Sequence, residues 1–232
     1  MSFYDAHIHQ PGKESGCFLV GLEGTPHFPG TMSNQEVIRM HNPEKKIFSF
    51  YYVTASEISQ RISHPFLKYH PRREKYTADQ VMESIKTNNP AAVMIDTLNE
   101  PFWVPYDYWK IARSFPNLLF VFPHSGGYLI NDFIKICHFQ KNVWIDFSLT
   151  HTVLANFGIV PQGLPCIYDA IVYSLHGAFR DRVLLGSDNP FYDQNQVLEF
   201  YTRENALDLL NRNFLCLTDI MNKTLKEKGY IS

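Results

Sequence analysis

Eight short runs of apolar, β-branched and aromatic residues recur along the chain, at 3–9, 17–22, 47–54, 66–70, 91–97, 118–124, 142–148 and 183–187. Several of them, such as AVMID, LLFVF and VLLG, are continuously apolar rather than alternating. An alternating run suits a sheet with one wet face, whereas a continuous run suits a strand covered on both faces, the condition of a parallel sheet. Between the later runs, segments 77–87, 105–115, 129–139 and 167–178 carry apolar residues at spacings of three and four, the period of a helix buried along one side. Thr77 followed by Gln80 reads as a capping box and marks where the first of these helices starts. Strand and helix thus alternate over short connections, an order that favours βα units over a sandwich. The economical solution is a compact α/β fold, a (β/α)8 TIM barrel occupying residues 1–232 as one domain. In the first third, 9–16 is too short for a full helix and 21–30 is a Gly/Pro-rich loop, so a reduced outer helix is expected there.

Composition narrows the partners. With 45% hydrophobic and 19% charged residues the chain can bury a large core, and disorder is not expected. Its 21 basic residues stand against 23 acidic ones, a net charge of −2, which argues against nucleic acid as a bulk partner. No apolar stretch reaches the ~18 residues of a membrane span, and no charged leader with an apolar run precedes Phe3, so a cytoplasmic location is expected. Cys17, Cys137, Cys166 and Cys216 lie far apart and read as reduced, mostly buried thiols.

Chemistry concentrates where the strands end. In DAHIH at 5–9, residues two apart on a strand share a face, so His7 and His9 can both aim into a barrel mouth and hold a divalent metal. In FVFPHSGG, His124 ends a buried strand before two glycines that permit a tight turn; a strand-end histidine satisfied by backbone is the plainer alternative. In RVLLGSDNP, an apolar strand delivers Asp188 ahead of Pro190. A carboxylate there can ligate a metal and take a proton from water, whereas an Asx turn would account for it without chemistry.

The ordered set DAHIH at 5–9, KYHP at 68–71, FPNLLFVFPHSGG at 115–127, NVWIDFS at 142–148 and DRVLLGSDNP at 181–190 resembles the amidohydrolase superfamily. The likeness is to its amidohydrolase-related branch, which includes aminocarboxymuconate semialdehyde decarboxylase. LLNRNFLCL, with Asn213, is similar to that branch's C-terminal signature. The resemblance implies one divalent metal, zinc first, held by His7, His9, a histidine of the fifth strand and Asp188, with His124 beside the reacting group. The chain departs from the pattern in VMIDTLNEP, which puts Asp96 at the histidine's place. As a metal ligand Asp96 would be a harder, more charged donor and would shift preference toward manganese or magnesium. If Asp96 instead pairs with Lys68, at the end of the fourth strand, the metal site is weakened or lost.

The loop KYHPRREKY offers Lys68, His70 and Arg72 as binders of a substrate carboxylate or phosphate, while Arg73 and Lys75 fit a solvated helix start. For Lys68 the superfamily resemblance adds a second reading, a carboxylated bridging lysine. Glu23 and Glu100 are acids at the mouth or plain surface carboxylates. His27, His41, His64, His138, His151 and His176 read as loop or helix-surface residues, and Phe48, Phe50, Tyr51 and Tyr52 as core.

The expectation is an enzyme, a metal-dependent hydrolase of a small, anionic carbonyl compound. The metal would lower the pKa of a water, Asp188 would accept its proton and pass it to the leaving group, and His124 would orient the attacked oxygen. Three alternatives stay open: a non-oxidative decarboxylase (a lyase), a lactonase that needs no metal, and a catalytically silent barrel that only binds a ligand. Substrate identity and oligomeric state are not legible in the sequence.

Overall fold

The computed structural model describes residues 2–22, 30–98, 103–148 and 165–231. Its eight strands are β1 (Tyr4–Ile8), β2 (Gly16–Val20), β3 (Ile47–Tyr52), β4 (Phe66–Tyr69), β5 (Ala92–Ile95), β6 (Leu119–Phe122), β7 (Val143–Asp146) and β8 (Val183–Leu184). They lie side by side in chain order, every neighbouring pair parallel. Backbone hydrogen bonds bridge the seam between β8 and β1: Ala6 N–H donates to the Leu185 carbonyl at 2.7 Å and His9 N–H to that of Asn189 at 2.7 Å. The sheet is a nearly closed barrel, as the continuous apolar runs require.

The α-helices are α1 (Asn34–Met40), α2 (Pro71–Glu74), α3 (Ala78–Asn88), α4 (Pro105–Ser114), α5 (Ile130–Phe139), α6 (Pro165–His176), α7 (Gln194–Arg203) and α8 (Leu207–Glu227), with short 3-10 turns at Pro43–Lys45, Pro123–Leu129 and Arg180–Arg182. The Thr77 side chain caps α3 and the Gln80 side chain returns to the Thr77 backbone, the reciprocal box its spacing implies. In the first third the outer layer is thin. Residues 9–15 contain no helix, α1 spans 7 residues, and 53–65 is turn and irregular backbone.

Two packed layers result. Outward strand residues such as Leu67, Val93, Phe120 and Ile145 meet the helices, while Ala6, Phe18, Phe48, Phe50, Phe66 and Trp144 fill the interior. Helix α8 contributes Phe214, Leu217, Met221 and Leu225 to that interior cluster, Phe214 stacking on Tyr4 with ring centroids 5.0 Å apart. Each fully buried side chain of this size contributes about 1.5–3 kcal/mol, so the far end of the barrel is the stable base on which the mouth is built. The register of β1 against β2 shifts between Asp5 and Ile8. That shift takes the chain from Ala6, packed in the interior, to His7 and His9, which rise into the mouth.

Candidate active site

Two turns at the rim hold their residues in a backbone region that side chains rarely adopt. His124 has φ +66°, Ser125 +44° and Asp188 +62°. Such conformations cost about 1–3 kcal/mol each and persist only where surrounding bonds enforce them. Here the His124 N–H donates to Asp146 Oδ1 at 3.2 Å, the Ser125 hydroxyl to the Asp146 carbonyl at 2.5 Å and the Gly126 N–H to the Thr97 hydroxyl at 2.8 Å. Gly126 cannot be larger, since an added Cβ would lie 2.2 Å from the Phe133 ring. On the other side, the Asp188 N–H donates to the His7 carbonyl at 2.8 Å. Beneath, buried Asp5 accepts from the backbone N–H groups of His7 at 3.2 Å and Ser187 at 3.0 Å, tying the two strand ends together; burial pushes its carboxyl up to about 7.

On the β1/β8 side, His9 Nδ1 lies 3.0 Å from the Val20 carbonyl. A carbonyl only accepts, so that nitrogen carries a proton. His9 Nε2 is 3.4 Å and His7 Nε2 3.7 Å from the same oxygen, Asp188 Oδ1. His7 Nε2 is buried without a hydrogen-bond partner, and ligand atoms of His7, His9 and Asp188 all lie within 4.8 Å of one another. Burial, reinforced by the charge of Lys68, holds His7 well below its ordinary value, so its ring is neutral. Burial acts to raise Asp188, but its contact with His9 and the charge of His124 outweigh this and keep the carboxylate ionised. Two imidazole nitrogens and a carboxylate oxygen converging on one point form a donor set that fits a divalent cation.

On the β4–β6 side the acid meets a lysine and two imidazoles. Asp96 Oδ2 is 3.7 Å from Lys68 Nζ, 3.6 Å from His70 Nε2 and 3.2 Å from His124 Nε2. Burial works to raise the Asp96 carboxyl, yet His70, His124 and Lys68 together hold it well below the usual range. Burial likewise opposes the charged form of His124, and Asp96 overcomes it, so the imidazolium is favoured. Asp96 therefore meets Lys68, the pairing that competes with a place on the metal, and the compact His7–His9–Asp188 group does not include it.

Between the two sides opens a cavity of about 420 Å³. Lys68, His70, Arg72 and Arg73 line one wall; Leu22, Leu98, Phe191 and Tyr192 supply its apolar and aromatic surface. Arg73, which fits a solvated helix start by sequence, reaches the cavity with its guanidinium 5.2 Å above the Tyr52 ring, whereas Lys75 is exposed. His64 lies in the loop ahead of β4, as expected, but is buried there, with its Nε2 donating to the Ser49 carbonyl at 2.8 Å. Glu23, Glu100, His27 and His151 lie outside the described residues. The sequence reading passed over Asp5, Asp146 and Ser148. For the last two the signal was present, since acid and hydroxyl stand two apart at a strand end, the spacing that marked His7 and His9.

The amidohydrolase family model matches residues 69–214, more than half of the chain, and the protein belongs to that family of enzymes. No curated protein matches it. Among solved structures, an uncharacterized TIM-barrel protein from Bordetella bronchiseptica superposes with a TM-score of 0.71 at 13% identity, over 96% of this chain and 100% of that one. A Pseudomonas putida protein assigned as a 2-pyrone-4,6-dicarboxylic acid hydrolase gives 0.59 at 12% identity, over 94% and 97%. The 5-carboxyvanillate decarboxylase of Sphingomonas paucimobilis gives 0.50 at 13% identity, over 88% and 78%. At these identities the likeness is one of fold, and the names of these neighbours span a hydrolase and a decarboxylase.

Proposed function

We propose that the protein is a metal-dependent hydrolase of a small, carboxylate-bearing carbonyl compound. The observation that carries this reading is the convergence of His7 Nε2, His9 Nε2 and Asp188 Oδ1 at the edge of a cavity with a basic wall. A divalent ion held by these three residues, zinc first, with manganese or magnesium as the harder alternatives, would supply Lewis acidity and lower the pKa of a water toward neutrality. The second carboxylate oxygen of Asp188 accepts a proton from the attacking water and returns it to the leaving group. His124, sharing its Nε2 proton with Asp96, donates a hydrogen bond to the carbonyl oxygen as charge develops there. Arg72, Arg73 and Lys68 hold the substrate carboxylate, and Phe191 and Leu98 keep bulk water from the reacting bond.

The purified protein, assayed for metal by mass spectrometry and screened on small carboxylates, lactones and amides, tests the reading. Stoichiometric metal with hydrolysis supports it. Carbon dioxide release from a carboxylate replaces it with the non-oxidative decarboxylase reading, and turnover without metal with the lactonase one. A protein with neither metal nor turnover is the silent barrel.

A further inference from the structure

The proposed reaction leaves the motif NVWIDFS unused, yet its last residue is a hub. Ser148 is wholly buried, and its hydroxyl touches Asp146 Oδ1, His7 Nδ1 at 3.2 Å and His124 Nδ1 at 3.0 Å. A hydroxyl has one proton to donate and two lone pairs to offer. Asp146 Oδ1 already accepts the backbone N–H of Ser148 at 2.8 Å and that of His124 at 3.2 Å, so it is an acceptor toward the hydroxyl too. The Ser148 proton therefore points at Asp146. What remains on Oγ is two lone pairs, which match two ring N–H groups.

We infer that Ser148, aimed by Asp146, is a positioning residue that fixes the proton of both His7 and His124 on Nδ1. For His7 this leaves Nε2 as the lone pair that faces Asp188; for His124 it leaves Nε2 to face Asp96. The opposite tautomer of His7 would set its Nδ1 lone pair against an oxygen lone pair in a buried site, which hydrogen bonding disfavours. His124 has a second anchor, because its Nδ1 also lies 3.0 Å from the Ser148 backbone carbonyl. The hub is built from two strands: Gly186 must lack a side chain, since a Cβ there would come within 2.7 Å of the Asp146 carboxyl carbon. Buried and saturated, the Ser148 oxygen is no nucleophile. The inference rests on the proposed function only in treating His7 as a metal ligand.

Protein labelled with 15N-histidine tests it, because long-range 1H–15N correlation spectra report which ring nitrogen is protonated, with His7 and His124 assigned by single substitutions. Wild-type His7 and His124 should both carry the proton on Nδ1. Ser148→Ala removes the hydroxyl acceptor of both rings but leaves His124 the backbone carbonyl. His7 should then populate the other tautomer while His124, still bonded to the carbonyl of residue 148, keeps its Nδ1 proton and reports an intact fold. Affinity for zinc, measured against a chelator, should drop ~10–100-fold. A wild-type His7 protonated on Nε2 overturns the inference even if the variant fails to fold, as does a folded Ser148→Ala whose His7 signals are those of wild type. A protein that binds no metal and turns over no substrate would sink the hydrolase reading yet leave the tautomers readable, so the two failures are distinct.

Discussion

The two sides of the barrel mouth each hold a buried strand-end aspartate, and they use it in opposite ways. Asp188 faces imidazole nitrogens whose rings are held from elsewhere, His9 by Val20 and His7 by Ser148, and the group fits a divalent cation. Asp96 faces Lys68, His70 and His124, and its charge is met from within the chain. The difference teaches that a carboxylate's place in the barrel does not assign its task. Burying an uncompensated charge is costly, so its neighbours decide whether the compensating cation is part of the protein or arrives from solution.

The sharpest way to break this contrast is Asp188→Asn, which keeps shape and an oxygen donor but loses basicity. Turnover should fall ~10²–10⁴-fold with a much smaller change in substrate affinity. Wild-type rates across neutral pH would make Asp188 a turn residue. The companion His7→Ala/His9→Ala variant should lose its divalent ion in mass spectrometry while circular dichroism shows the fold retained.

Asp96→Ala should do the reverse. It strands Lys68, 1% exposed, without its counter-ion, and removing one partner of a buried pair typically costs about 3–5 kcal/mol. Urea unfolding should show that loss while metal content stays stoichiometric. Lost metal at unchanged stability would move Asp96 into the ligand set, and Asp96→His would then tighten zinc relative to manganese.

At the opposite end from the mouth, His41 gives a control on acid sensitivity. Its Nδ1 accepts the Ser49 N–H at 3.0 Å, so the ring is neutral, and burial, with the charge of His64 adding to it, pushes its pKa down to about 4. A folded value below the ordinary 6.5 means the unfolded chain binds more protons between the two. This contribution to stability is complete above pH ~6.5 and is lost as pH falls toward 4, by on the order of 3 kcal/mol. His41→Gln should flatten that part of the urea stability profile; an unaltered acid slope would place the loss at the mouth instead.

The smallest effect belongs to the α3 cap, which lies away from the site. Thr77→Ala should cost about 1 kcal/mol in thermal or urea unfolding and leave metal content and turnover alone. A change in either would link this helix to the neighbouring basic loop.

Much of the mouth was legible because a strand end is a local property. His7, His9, Asp96, His124 and Asp188 each close an apolar run, and runs of that kind line up in parallel; their convergence at one rim follows from the barrel's connectivity. Lys68, within β4, and His70, just past its end, were legible at the mouth for the same reason. Arg73 was not, because whether a residue on the short turn α2 faces solvent or cavity depends on the ring of Tyr52, which comes from another strand. His64 was not either, since its burial comes from packing beside Ser49 of β3.

The alternation of strand and helix, the start of α3 at Thr77 and the placement of acids and imidazoles at the rim are set by side-chain period and capping, interactions that reach only a few residues along the chain. Which nitrogen of His7 carries its proton, and whether an aspartate meets a lysine or a lone pair, are decided across the barrel. His7 meets Ser148 from 141 positions away and Asp5 meets Ser187 from 182, and the shift within β1 selects which side chains enter the mouth. Hydrogen bonds are directional and buried charges must be matched, so the chemistry of each group waits on partners that only the closed barrel brings within about 3 Å.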